Sequence, residues 1–278
     1  MTAEAVTSEL WLTGESTPPG RLLRELWAAR RLAVVLARNE YLARYRSSLL
    51  GLLWSLLVPL LQTVVLAIVF THVVRVAAPG QSYALYVLSG TAVWSTFSSG
   101  ISSGSTAIVD TGAIAGRVYF PRLILPMLAP MAALVTGALT LVVAVLLLPA
   151  FPHSSYHVQL LALPLVVLLN FLFTSAFASV VALAHVYARD VRYLITASML
   201  VWMYATPIIY PLHLAHGLRP YIEANPVTGI VQLSHWCFLG QADGLEPSLL
   251  ATGAWLVGLL TIAVLAYSRY DRVACDRL

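Results

Sequence analysis

The stretch that decides the fold runs from residue 123 to residue 188 and reads LILPMLAPMAALVTGALTLVVAVLLLPAFPHSSYHVQLLALPLVVLLNFLFTSAFASVVALAHVYA. It contains no Asp, Glu, Lys or Arg. A helix that crosses a bilayer needs about 20 mainly apolar residues, so this stretch is long enough for two. The segment from Pro149 to His157 interrupts it with two prolines, two serines and two histidines, a composition typical of a loop. We therefore predict two transmembrane helices joined by a short connection.

Further charge-free stretches occur on both sides of this one. The 278-residue chain is 59% hydrophobic and only 10% charged, whereas soluble domains have about 25% charged residues. So few charges would not cover a soluble globule. We predict an all-α membrane protein with a single membrane domain, residues 21–278, after a flexible tail, residues 1–20. Its six spans are expected at 49–74, 83–101, 123–148, 160–187, 193–212 and 248–268.

The positions of the basic residues support this count. All 16 are arginines. With six spans, fourteen of them lie in the N-terminal segment, in the connections after spans two and four, and in the C-terminal tail. Only Arg75 and Arg219 lie on the opposite side. Because cytoplasmic loops carry an excess of positive charge, we predict that both termini are cytoplasmic.

Residues 21–46, ahead of the first span, hold seven arginines. Arg24, Arg31 and Arg38 recur every seven residues and so share one face of a helix, whereas leucines and Trp27 fall largely on the other. Such an amphipathic helix suits an anionic membrane surface. A solvated charged helix is the alternative, but Trp27 and the apolar run after it favour the membrane interface.

The connection between spans two and three is predicted to form a short cytoplasmic helix. Asp110, Arg117 and Arg122 would stay in water. The small apolar face of this helix would consist of Ile108, Val109, Ile114 and Val118.

The outer segment 213–247 is too long for a tight turn. Asn225 followed by Pro226 is a typical N-cap and first helical residue, and Gly240 is a typical stop. The helix between them has about 14 residues, too few to span a bilayer. We predict that it dips into the outer leaflet.

Several classes of function lack the residues they need. A phosphate-binding loop of the Walker type requires a lysine, and the chain has none, so it is not a standard P-loop ATPase. An ion-driven carrier usually has ionisable groups within the membrane, but only His72 and His185 approach the predicted spans. A structural or interfacial role is favoured for His185. Cys237 and Cys275 are predicted on opposite sides of the membrane and are not expected to pair.

Metal and enzyme chemistry are also disfavoured. His153 and His157 have the i, i+4 spacing of metal ligands on a helix, but they lie in a loop with no third ligand nearby. His213 and His216 are no better placed, so we expect no metal site. No motif brings a nucleophile and a base together, which makes an intramembrane enzyme the weaker hypothesis.

Aromatic residues in the spans are the more suggestive feature, because aromatic faces stack on sugar rings without trapping a charge. Most of them are equally well explained as lipid-facing or interfacial side chains. Span five is the exception, since Thr206, Pro207 and Pro211 interrupt its helix, and such breaks face protein or a water-filled cavity. The candidate aromatic residues are Trp94 and Phe97 in span two, Phe171 and Phe173 in span four, and Trp202, Tyr204 and Tyr210 in span five.

Four segments together resemble a known family. In chain order they are Tyr45–Leu60 (YRSSLLGLLWSLLVPL), Val118–Arg122 (VYFPR) with Leu125-Pro126, Thr206–Pro211 (TPIIYP), and Asn225-Pro226. Their order and spacing are similar to those of the permease subunit of polysaccharide-exporting type 2 ABC transporters, which move O-antigen, teichoic acid and related lipid-linked glycans. The resemblance covers nearly the whole chain from about residue 21.

This resemblance implies a homodimer of six-span subunits docked on two copies of a separate ABC ATPase, which binds the ATP and magnesium. It implies a coupling helix within residues 102–118 and outer re-entrant helices within 213–247. The ATPase is expected to contact Ile108, Val109, Asp110, Ile114 and Arg117, or, as the alternative surface, the segment with Arg44 and Tyr45.

The expected function is therefore that of a membrane-spanning subunit, not an enzyme. It would serve an ATP-driven exporter of lipid-linked polysaccharide of the O-antigen, galactan or teichoic-acid type. The expected location is the bacterial plasma (inner) membrane, and no nucleic-acid partner is expected. Two alternatives remain open: a lipid or drug exporter of the same family, and an intramembrane glycan-modifying enzyme. The substrate path is expected along Trp202, Tyr204 and Tyr210, with Trp94 and Phe97.

Overall fold

The computed structural model describes residues 18–45, 50–51, 53–70, 82–110, 122–151 and 154–270. Within these ranges the chain is helical and forms no β-strand, which confirms the predicted all-α class. The α-helices are α1 (Pro19–Ala28), α2 (Arg30–Tyr45), α3 (Leu53–Ile68), α4 (Tyr83–Gly104), α5 (Ala107–Asp110), α6 (Leu125–Leu146), α7 (Leu163–Tyr187), α8 (Val191–Tyr204), α9 (Arg219–Glu223), α10 (Thr228–Leu239) and α11 (Leu245–Tyr270). Short 3₁₀ segments occupy Arg122–Ile124, Leu148–Ala150, Val158–Ala162 and Leu212–Leu218.

Three helices in the described ranges are long and apolar enough to cross a membrane: Arg122–Leu146, Val158–Tyr187 and Leu245–Arg269. They lie where the third, fourth and sixth spans are predicted. The apolar helix Leu56–Ile68, within α3, is shorter. Helix α4 has 22 residues, or about 33 Å of length, but its many Ser, Thr and Gly residues make it less apolar.

Helix α4 forms the centre of the bundle and is buried along most of its length. It packs against α3, α6, α7, α8 and α10. Its small residues allow this: a Cβ added at Gly100 would lie 2.6 Å from Thr174 Cγ2, and one added at Gly104 would lie 2.8 Å from the Pro126 carbonyl oxygen. Small residues at helix contacts are typical of membrane bundles, where close approach of backbones supplies the attraction.

A second apolar cluster joins the helix ends on the side predicted to be cytoplasmic. Leu22 of α1, Ile108 of α5, Leu183 of α7 and Tyr267 of α11 are buried together in it. The Tyr267 hydroxyl donates a hydrogen bond to the Ser179 carbonyl oxygen, 3.1 Å away. The amphipathic segment, helix α5 and three membrane helices therefore share one core.

The N-terminal amphipathic segment differs in detail from its prediction. Helix α1 begins at Pro19, so it includes the last two residues assigned to the tail, and residues 1–17 lie outside the described ranges. The segment is not one helix, because a turn at Ala29 separates α1 from α2. Trp27 is 70% exposed, and the Arg30 guanidinium lies 4.7 Å from the centre of its ring.

The fifth span and the outer helix also depart from the predicted bounds. Helix α8 ends at Tyr204 rather than continuing to Leu212, because Pro207 lacks a backbone N–H and disfavours a helical residue before it. Helix α10 begins at Thr228, two residues later than predicted. Its predicted stop is confirmed, since Gly240 ends it in the left-handed conformation with φ 73°, which glycine adopts without strain.

Candidate functional site

Two tyrosines of α4 form hydrogen bonds with the non-helical segment that follows α8. The Tyr86 hydroxyl lies 2.9 Å from the carbonyl oxygens of both Pro207 and Tyr210 and shares its single proton between them. The Tyr83 hydroxyl donates to the Ile209 carbonyl oxygen at 2.5 Å. Backbone groups freed by a break at membrane depth need such partners, because no bulk water is present to satisfy them. The two side chains thus stabilise a non-helical segment at the end of the fifth span.

Asn225 ties the same break to the outer helices. Its side-chain oxygen accepts hydrogen bonds from Trp202 Nε1 at 2.9 Å and from the Val227 backbone N–H at 3.1 Å. Its Nδ2 donates to the Ala205 carbonyl oxygen at 3.0 Å and to Thr206 Oγ1 at 3.1 Å. An amide offers two donors and two acceptor sites, so the hydrogen-bonding capacity of the Asn225 side chain is fully satisfied. The end of α8 and the start of α10 are joined through this residue.

Trp202 belongs to a cluster of aromatic rings inside the bundle. Its ring centre lies 5.4 Å from that of Phe97 and 5.5 Å from that of Phe177. Trp94 and Phe173 complete the cluster, each within 6.0 Å of Phe97. These spacings suit edge-to-face and tilted aromatic contacts. The cluster anchors α8 against α4 and α7.

An apolar groove of about 380 Å³ opens beside this cluster, between α8, α9 and α11. None of its lining residues carries a charge. Trp202 and Asn225 line it as half-buried residues, and Tyr221 and Trp255 lie at its exposed edge. The Trp255 Nε1 donates to the Ala224 carbonyl oxygen at 3.2 Å, which fixes the indole at that edge. The groove offers aromatic faces to a ligand without any fixed charge.

The five residues proposed for the substrate path are placed differently from one another. Trp202 is half-buried and lines the groove, while Trp94 and Phe97 are core residues, and Phe97 has no exposed surface in this conformation. Tyr204 is 61% exposed and projects away from the aromatic cluster, because residues two apart on a helix are about 160° apart. Tyr210 follows the break, is half-buried, and donates from its hydroxyl to the Tyr204 carbonyl oxygen at 3.1 Å.

The residues proposed to contact an ATPase are described only in part. Ile108 is 2% exposed and packs within the second cluster; Val109 is half-buried, and Asp110 is exposed. Helix α5 contacts α6 and α7. Ile108 therefore packs into this chain's own core and anchors α5 to the bundle. Ile114 and Arg117, and the side chains of Arg44 and Tyr45, lie outside the described residues.

The histidines and cysteines form no cluster in the part of the chain that the structure describes. There, no three His, Cys, Asp or Glu residues lie close enough to hold a metal ion. His185 is buried at the end of α7, and His157 Nε2 lies 3.2 Å from the Ser155 hydroxyl. Cys237 is a buried free thiol, and Cys275 and His153 lie outside the described ranges.

Sequence reasoning missed the two tyrosines and the full role of Asn225. Tyr83 and Tyr86 are spaced three apart and so share one helix face. Two tyrosine hydroxyls on one face of a span can donate hydrogen bonds to backbone carbonyls that a proline leaves without a partner. Their presence beside a proline-broken helix could therefore have indicated this contact. Asn225 was recognised as a helix start, but its bonds to Trp202 and Ala205 depend on contacts between separate helices.

The comparisons with known proteins agree with this architecture. Residues 31–239 match the family model described as ABC-2 type transporter. The chain therefore belongs to the ABC-2 type transporter family and is an integral membrane protein and a transport subunit rather than an enzyme.

Three relatives within this similarity carry the same name, that of an O-antigen export permease. The chain is 35% identical over 193 residues to the O-antigen export system permease protein RfbA of Myxococcus xanthus, which covers 69% of this chain and 73% of the relative. Two proteins of the same name from Klebsiella pneumoniae are 26% and 25% identical over 179 residues, covering 64% of this chain and 68% of each relative.

Proposed function

We propose that this chain is the membrane-spanning subunit of an ATP-driven exporter of lipid-linked cell-surface polysaccharide. The observation that carries the proposal is the 35% identity to a relative named as an O-antigen export permease, over 73% of that relative. The uncharged aromatic groove beside the broken fifth span supports it. A polar chain that slides needs repeated weak contacts, and aromatic faces supply them without a strong binding point.

The proposed architecture is one membrane domain with six spans and both termini in the cytoplasm of a bacterial plasma membrane. Its support is the arginine distribution, fourteen on one side and two on the other, under the positive-inside rule. Two copies of the chain are proposed to enclose the path. Helices α3 and α8 both leave large apolar side chains exposed, among them Leu61, Val65, Leu200 and Val201, as lipid or a second copy requires.

ATP and magnesium are proposed to bind two copies of a partner ATPase, because this chain has no lysine for a phosphate-binding loop. The proposed point of coupling is the connection after α4. Helix α5, with which this connection begins, belongs to the second apolar cluster together with α1, α6, α7 and α11. A displacement of this connection would therefore reach several membrane helices together, since packed cores shift as units rather than deforming continuously.

The proposed path runs along the fifth span and past its break. Trp202, Tyr204 and Tyr210 are the candidate contacts for the glycan, with span one of the second copy opposite. Trp202 and Tyr204 lie about 160° apart on the helix and do not both face the path, so Tyr210, beyond the break, is the first choice. Trp94 and Phe97 are proposed to act behind Trp202, as the packing that holds its indole in position. Neither a lipid or drug exporter nor a glycan-modifying enzyme is favoured by an observation on this chain.

The test is depletion of the protein in its native host, followed by analysis of lipid-linked glycans. Export predicts that a complete glycan accumulates on its lipid carrier inside the cell while surface polysaccharide disappears. A host carrying a partner ATPase without its phosphate-binding lysine is the matched control and should show the same accumulation. Surface glycan of normal amount but altered composition would instead identify an enzyme, and an unchanged glycan with a changed lipid profile would identify a lipid exporter.

A further inference from the structure

A second cavity, distinct from the aromatic groove, lies at the outer end of α4. It has a volume of about 330 Å³, is open on one side and is lined by the Pro211–His213 segment, the second half of α10 and the loop 241–243. The left-handed turn at Gly240 sends this loop back over the cavity. Its polar lining consists of Tyr86, His213, Gln232, His235, Gln241 and Asp243.

Two of these polar side chains are buried in the wall. Gln232 is 2% exposed and His235 is 1% exposed. His235 Nδ1 lies 3.4 Å from Gln232 Oε1, and its ring stacks on Tyr86 with centres 3.9 Å apart. Gln232 lines the cavity, and its Nε2 donates no hydrogen bond to another described residue, although it is not among the fully buried atoms that lack a partner. This amide nitrogen is therefore a donor available to a ligand in the cavity.

The charges around the cavity disfavour an anion. Asp243 Oδ1 accepts a hydrogen bond from Arg219 Nη2 at 2.8 Å, and Glu223 Oε1 accepts one from Arg219 Nε at 2.7 Å. The hydrogen bond with Glu223 and the charge of Asp243 raise the pKa of Arg219. One cation thus faces two carboxylates, and no arginine lines the cavity itself. A phosphate entering it would meet net negative charge.

We propose that this cavity binds one or two neutral sugar units of the exported glycan at the outer side of the membrane. The inference rests on the proposed function and adds a glycan contact outside the spans. Amide and imidazole groups both donate to and accept from hydroxyls, and a carboxylate accepts from them, as a sugar requires. The volume lies at the small end of the range of about 300–1,000 Å³ for ligand sites, which suits a short neutral segment and not a lipid carrier.

The test uses the full chain, reconstituted with its ATPase in lipid nanodiscs, and saturation-transfer NMR. The probes are the methyl glycosides of glucose, galactose, mannose and rhamnose, with glucose 6-phosphate as the anionic comparison. At least one neutral glycoside should receive saturation, and the phosphate should not. Gln232→Leu and Gln241→Ala should each weaken that binding by about five- to tenfold, the effect of one or two lost hydrogen bonds.

Ser234→Ala is the matched control on the same helix. Ser234 is buried and donates to the Ser89 carbonyl oxygen at 3.0 Å, but it does not line the cavity, so its loss should leave glycoside binding unchanged. Gln241 is exposed, so Gln241→Ala tests the site without disturbing the fold. The inference is overturned by absence of binding to all four glycosides, by equal binding of glucose 6-phosphate, or by unaltered binding in both glutamine variants.

These outcomes are separable from those of the depletion experiment. Glycan accumulation on depletion together with no glycoside binding would remove the outer site and leave the export function intact. Normal surface glycan on depletion would remove the export function, whatever the NMR result.

Discussion

The indole nitrogen of Trp202 lies 2.9 Å from the side-chain oxygen of Asn225 and donates a hydrogen bond to it. The bond joins the last turn of α8 to the segment that leads into α10. Trp202 also contacts Phe97 and Phe177 with its ring, so one side chain couples the aromatic core to the outer helices. We therefore expect a displacement of α8 to reach α10.

This coupling can be measured with a double-mutant cycle. Trp202→Phe keeps an aromatic ring and removes the N–H, and should destabilise the chain by about 1 kcal/mol. Asn225→Ala removes four hydrogen bonds and should cost more. Because both changes break the same bond, the double variant should be more stable than the sum of the single losses predicts. Denaturant unfolding of the full chain in detergent supplies the free energies, and strict additivity would contradict the coupling.

Tyr86 is expected to be the principal support of the break after α8. Tyr86→Phe leaves the carbonyl oxygens of Pro207 and Tyr210 without that donor, which should cost about 1–3 kcal/mol. Tyr156→Phe is the control, since Tyr156 is largely exposed and its hydroxyl can be replaced by water. Thermal unfolding in detergent compares the two. Equal midpoints for both variants would show that the Tyr86 hydroxyl does not hold the break.

Gly104 is expected to set the distance between α4 and its neighbours. In Gly104→Ala the new Cβ would lie 2.8 Å from the Pro126 carbonyl oxygen and 2.9 Å from Ala178 Cβ, so we expect a loss of about 1–3 kcal/mol from overpacking. Gly258→Ala in α11 meets nothing within 4 Å and should gain about 0.5–1 kcal/mol from helix propensity. Opposite signs in unfolding experiments are the expected result, and a stabilised Gly104→Ala chain would refute the close packing.

The proposed topology predicts which cysteines an impermeant maleimide reaches in intact cells. Ala115→Cys, in the cytoplasmic connection, should remain unlabelled until the cells are opened, and so should the native Cys275. Gln241→Cys, in the outer loop, should be labelled at once, because Gln241 is exposed. Labelling of position 115 from outside would reverse the assigned orientation.

Tyr210 is expected to contribute its aromatic face to the path rather than its hydroxyl. Tyr210→Ala should slow export while leaving dimer assembly and ATPase binding intact. Tyr210→Phe should be mild, because the bond to the Tyr204 carbonyl oxygen lies at an exposed position, where water can replace it. Surface polysaccharide, measured at equal protein levels, distinguishes the variants. Equal damage from both, or normal export in Tyr210→Ala, would exclude a stacking role.

Much of the helical layout could be predicted because hydropathy is read along the chain. The charge-free stretch 123–188 indicated two apolar helices, and the structure has them at Arg122–Leu146 and Val158–Tyr187. The end of α10 at Gly240 could be predicted for a similar reason, because it depends on the backbone conformation of a single residue. The interruption at Thr206, Pro207 and Pro211 was also predicted, but the span was extended to Leu212 whereas α8 ends at Tyr204, because an apolar run continues past the prolines that end the helix.

The sequence by itself determined that this is an all-α membrane protein, whose predicted fifth span is interrupted and whose predicted spans contain no Asp, Glu, Lys or Arg. These properties are sums over neighbouring residues and need no knowledge of packing. Only the tertiary structure decided that Phe97 and Ile108 belong to cores, that Tyr86 satisfies the broken backbone, and that Asn225 joins Trp202 to the outer helix. Such roles depend on which face of one helix meets another, and burial and hydrogen bonding between distant segments arise only when the helices pack together.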